Sequence, residues 1–169
     1  MSPRYSLPQI WLHWISAIII IWATLSGFYV ALFHHSPQCA RWIGFINVSV
    51  TTIYIPLFIL RIWFAWRHGK PGDNLLSHKE EKLAAAGHFL LYSNIALVLI
   101  TGVMMMEKPI NVFDLIVLPQ PINDPGITTV FNQVHIISCM MLALLVIGHI
   151  LAVVKHQRKG KPLLRRMGW

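Results

Sequence analysis

Histidines carry most of the reactive chemistry available to this sequence. Of its nine, His13, His88, His135 and His149 fall inside or at the edge of long apolar stretches. An ionisable side chain at membrane depth is expensive and by default marks a functional site with a partner. His135 and His149 share one such stretch. At about 100° per residue their separation returns them to within about 40° of one helix face, roughly 21 Å apart along the axis. That spacing suits ligands of metal centres stacked towards opposite faces of a bilayer.

The elements that must position them are legible in the composition. The chain has 169 residues, of which 56% are hydrophobic and 12% charged, with a mean hydropathy of +0.59. A spanning helix needs about 20 predominantly apolar residues. Four stretches qualify, at about residues 10–33, 43–66, 83–106 and 130–154. They are too long and too continuously apolar for barrel strands, and every backbone group in lipid must be satisfied internally. The expected architecture is therefore all-α, a single membrane domain (1–169) folded as a four-helix bundle. An outer loop takes residues 107–129 and a basic tail residues 155–169.

Charge sets the expected orientation. Arg67, Lys70, Lys79 and Lys82 follow the second span, Arg61 lies just inside it, and the tail carries Lys155, Arg158, Lys159, Lys161, Arg165 and Arg166. The other two connections are poor in net positive charge. The positive-inside rule places both termini in the cytoplasm. A basic rim facing anionic lipid accounts for the net charge of +8 without a nucleic-acid partner. The first span is too long for a signal-peptide core and is expected to be retained.

Local signals refine these elements. Ser77-His78-Lys79-Glu80 reads as a capping box that starts the third helix, and Pro56 should loosen or kink the second. Residues 71–74 read as a turn. The long outer loop mixes prolines with Val112, Phe113, Leu115, Ile116, Val117 and Leu118, which suggests an amphipathic lid along the membrane surface. Cys39 and Cys139 lie at different depths and make a poor bridge. Cys139 reads as a small packing residue one turn after His135.

Depth decides which histidines can meet. His13 lies about five residues into the first span, roughly 7–8 Å deep, and His149 lies about as far from the tail end of the fourth. Two imidazoles on facing helices meet the axial demand of a six-coordinate haem b. Zinc would need a third or fourth ligand, and no Asp or Glu occurs within the spans, so haem is the favoured group. His135 sits near the outer end of the fourth span. At its depth the second span offers Asn47, which is not a usual ligand of haem iron. His34 and His35 in the first outer loop and Met104, Met105 and Met106 are other candidates, with solvation and packing as their simpler roles. Any single membrane histidine can instead hydrogen-bond a neighbouring helix. His88 and His156 lie near the inner level and suit a quinone headgroup or a proton path.

Several motifs then carry a family resemblance. Tyr5-Ser6, Gln9-Ile10 and His13-Trp14 at the head, Ala86-Gly87-His88 with Tyr92, Gly102-Val103-Met104-Met105, the His135–His149 pair, and Leu163-Leu164-Arg165-Arg166-Met167 together resemble the bacterial cytochrome b561 family, which includes superoxide oxidases. The resemblance implies a multi-pass protein of the bacterial inner membrane holding two b haems on four histidines. It implies His13 and His149 as ligands of the inner haem iron, His135 as one ligand of an outer haem, and His88 and His156 beside a quinone site with ubiquinone as substrate. Asn47 stands where the fourth ligand is expected, fourteen residues before Arg61, and puts the outer haem in doubt.

The expected function is single-electron transfer between the quinone pool and a donor or acceptor such as superoxide at the outer face, the work of an oxidoreductase. Two alternatives stay open. The chain is the haem-bearing membrane subunit of a larger oxidoreductase docking a redox protein, or it binds a small ligand at haem without turnover.

Overall fold

A computed structural model describes residues 4–33, 36–71 and 75–168. Four long helices dominate it: α1 (Leu7–Leu32), α2 (Pro37–His68), α3 (His78–Met104) and α4 (Pro125–Arg158). All four are long and apolar enough to cross a membrane. Their outward faces carry side chains such as Ile18, Leu25 and Leu144, each about two-thirds exposed, as a lipid solvent allows.

The helices begin ahead of the apolar stretches because capping residues and prolines start them. Asp124 Oδ1 accepts the amides of Gly126 and Ile127 at 2.7 and 3.2 Å, and Pro125 follows as the first helical residue. Ser36 caps α2 in the same way, ahead of Pro37. Proline is at home there, since its missing N–H would have no partner. At α3 the expected capping box forms, with Ser77 Oγ accepting the Glu80 amide and Glu80 Oε2 accepting the Ser77 amide at 2.8 Å. Gly69, at φ +64, ends α2 in a conformation costly for other residues. Pro56 is accommodated within an uninterrupted α2.

The expected lid over the outer loop takes the form of an antiparallel hairpin, β1 (Ile110–Val112) and β2 (Ile116–Leu118), with Ile110 opposite Leu118. Its alternation explains it: Ile110 and Val112 are buried, while Asn111 between them turns back over the loop. Phe113 and Asp114 both have positive φ, 50° and 57°. The Asn111 amide steadies that turn, donating to Asp114 Oδ1 at 2.6 Å and accepting the Asp114 amide at 3.0 Å. Fully buried Ser49 of α2 accepts the Phe113 amide at 3.0 Å and donates to Asn111 O.

α1 packs along α2 and α3 along α4, with a lighter seam between α2 and α3. Both chain ends meet at the bundle end away from the hairpin. There the Tyr5 amide donates to Arg166 O at 3.1 Å and Trp14 Nε1 to Met167 O at 2.9 Å. A short 3-10 turn, Leu163–Arg166, carries the tail across. The bundle thus has a terminal end and a hairpin end.

Candidate functional site

Each helix contributes residues at seven-residue intervals, which fall within about 20° of one face and roughly 10 Å apart. The central set is Ile20, Tyr54, Ile95 and Leu142, only 9%, 1%, 5% and 4% exposed. These four residues belong to one apolar cluster with Phe58. Seven residues from them towards the terminal end stand His13, Arg61, His88 and His149. Seven residues towards the hairpin end stand Gly27, Asn47, Gly102 and His135. Because Leu142 points into the core, the same register turns His135 and His149 inward at either side of it.

The terminal-end set is a cluster. Arg61 Nη2 lies 3.2 Å from His13 Nδ1, and its guanidinium sits 5.0 Å over the Tyr92 ring, a cation–π arrangement. The His88 and His149 rings meet edge to face, 5.5 Å between centroids. His13 also lies within electrostatic range of His149 and His88. The sequence placed His13 and His149 at one level; the structure adds Arg61 and brings His88 against His149. Arg61 is only a donor, so here His13 accepts at Nδ1 and carries its proton on Nε2. If His13 binds iron through Nε2, the proton moves to Nδ1 and the guanidinium must turn away.

His156 stands apart from this cluster. Its Nδ1 lies 3.7 Å from Glu80 Oε1, and Glu80 also pairs with Lys161 of the tail. Tyr5 lies at the same end, where burial pushes its phenol pKa up against the opposing pull of Arg166. No hydrogen bond, ion pair or ring contact joins His156 and His88 among the described residues.

At the hairpin end His135 is fixed. Its Nδ1 lies 3.1 Å from Val98 O and 3.1 Å from Thr101 Oγ1. The Thr101 hydroxyl proton is engaged by Leu97 O at 2.7 Å, so both neighbours accept and the imidazole proton must sit on Nδ1. Nε2 keeps its lone pair, 3.4 Å from the Cys139 thiol. The ring nests on Gly102, where a Cβ would stand 3.2 Å from its Cε1. Asn47 is paired with α1 instead, its Oδ1 3.0 Å from Ser26 Oγ. His34 and His35 lie outside the described residues.

Among the described residues no three His, Cys, Asp or Glu side chains gather as a metal site. Paired imidazoles on an apolar floor fit a metal whose other donors come from a planar macrocycle, as in haem. A helical membrane bundle with histidines at two levels is an architecture that suits a membrane b-type cytochrome. The family model for prokaryotic cytochrome b561 matches residues 4–169, and the chain belongs to that family. It is accordingly a multi-pass protein of the bacterial inner membrane, a haem b electron carrier by family. No curated protein matches the chain.

Proposed function

We propose that His13 and His149 are the axial ligands of a haem b at the terminal end, which faces the cytoplasm. The clustering of His13, Arg61, His88 and His149 in one layer carries this reading. Haem supplies a reversible one-electron couple, and the surrounding residues set who can use it. The central layer keeps water from one side. Arg61, freed from His13, is the cation at hand for a haem propionate.

His88, against His149, is placed to hydrogen-bond a quinone carbonyl. His156 and Glu80 stand closer to the tail, where a proton can be exchanged with water. The chain then passes single electrons between ubiquinone and a donor or acceptor at the opposite face, superoxide being one candidate. The basic rim of the tail offers a docking surface for a redox protein in the alternative role of a membrane subunit.

The test is the reduced-minus-oxidised spectrum of purified His13→Ala and His149→Ala. Each is expected to lose the low-spin bis-histidine signal of one haem. An unchanged spectrum in either variant overturns the assignment. His88→Ala is expected to keep that signal and to slow haem reduction by ubiquinol in stopped flow; an unaltered rate removes His88 from the quinone site.

A further inference from the structure

We infer, resting on the reading of the chain as a haem carrier, that the hairpin-end layer is a second haem site with a single protein ligand, His135. Its opposite axial position stays open to a small uncharged diatomic molecule. Three observations carry this assignment. First, His135 is held as a metal-binding imidazole is held: Nδ1–H donates to a backbone carbonyl and a hydroxyl that can only accept. An outer hydrogen bond of this kind fixes the tautomer and orientation of a ligating histidine. Nε2 keeps an accepting lone pair, and its hydrogen-bond neighbour among the described residues is a weak thiol donor on the same helix.

Second, among the described residues the layer lacks a partner for it. Its other three positions are Gly27, Asn47 and Gly102. Gly102 gives its side-chain space to the His135 ring, and Gly27 brings no side chain that could bind a metal. Asn47 presents an amide, whose oxygen is a hard donor poorly matched to ferrous haem, and it is paired with Ser26.

Third, the depths agree. Asn47 and His135 lie equally far into α2 and α4 from the starts of those helices, Pro37 and Pro125. At the depth of His135, α2 thus presents a residue that does not bind iron. A haem with one proximal histidine and a free distal side is the arrangement that binds diatomic ligands in globins, whereas two histidines close both positions.

Carbon monoxide is the probe. Purified, fully reduced protein is assayed for haem per chain and for its carbon monoxide difference spectrum. Two haems are expected, one converted by carbon monoxide and one inert. His135→Ala should halve the haem content and abolish the carbon monoxide band while leaving the inert low-spin haem. Asn47→His should keep both haems and abolish the band, because the open position becomes filled. One haem per chain, inert to carbon monoxide, overturns the inference and leaves the terminal-end site standing. Two inert haems overturn it as well, since a sixth ligand then comes from elsewhere in the chain. No haem at all overturns this inference together with the haem function proposed for the terminal end.

Discussion

At the scale of single residues, the chemistry turns on who donates to whom. Arg61 is the residue that sequence reasoning passed over: it read as a cytoplasmic charge just inside a helix, yet it reaches His13 and lies over Tyr92. Only the register of α2 against α1 and α3 reveals that aim. A fixed cation near a haem favours the reduced, less positive state, so removing it should lower the potential. At an effective dielectric of about 20, one charge inside the bundle is worth about 1–2 kcal/mol, or roughly 40–90 mV for one electron. Arg61→Gln is therefore expected to keep the low-spin spectrum and to shift one midpoint potential downward by that order in a redox titration. The histidines themselves were legible, because an imidazole among apolar residues stands out without any structure. The partners of His135 were less so. Cys139, four residues on, could be read from helix periodicity, but Thr101 and Val98 belong to another helix.

At the scale of elements, caps and prolines decided where helices start, and the apolar runs alone understated their lengths. Ser36-Pro37 and Asp124-Pro125 were visible signals of this kind. The hairpin was legible only as an apolar, proline-bounded lid. Strands of three residues give too little alternation to read, and Phe113 at positive φ defies the usual preference of such turns for Asn-Gly. One hydroxyl, that of Ser49, hydrogen-bonds the hairpin to α2 beside the packing of Ile110 and Val112. Ser49→Ala leaves the Phe113 amide without its acceptor and releases Asn111 O, a loss of about 1 kcal/mol for a part-buried hydrogen bond. The expected outcome is a lower melting temperature in detergent with the terminal-end haem spectrum unchanged. A melting curve identical to that of the parent would show that α2 does not depend on this dock.

At the scale of the whole molecule, hydrocarbon thickness and backbone satisfaction left little choice but four long helices, which is why the bundle could be read from the chain. The three layers were present in the sequence as seven-residue spacings, yet matching them across four helices required the packing. Orientation is open to direct measurement. With both termini cytoplasmic, trypsin should cut the basic tail in inverted vesicles and spare it in intact spheroplasts. Glu80 holds Lys161 of that tail and lies by His156, so Glu80→Ala should speed tail cleavage several-fold in inverted vesicles while leaving cleavage elsewhere unaltered.

The tail contacts also bear on how the molecule is made. Residues 163–168 leave the ribosome after all four helices, and the bonds from Tyr5 to Arg166 and from Trp14 to Met167 wait for them. The start of α1 is thus tied first to α2, through Gln9 Nε2 on Gly69 O at 3.1 Å, and only later to residues 163–168. Until residues 163–168 emerge, this end of the bundle lacks its two closing bonds, so its closure is the last contact that synthesis supplies there.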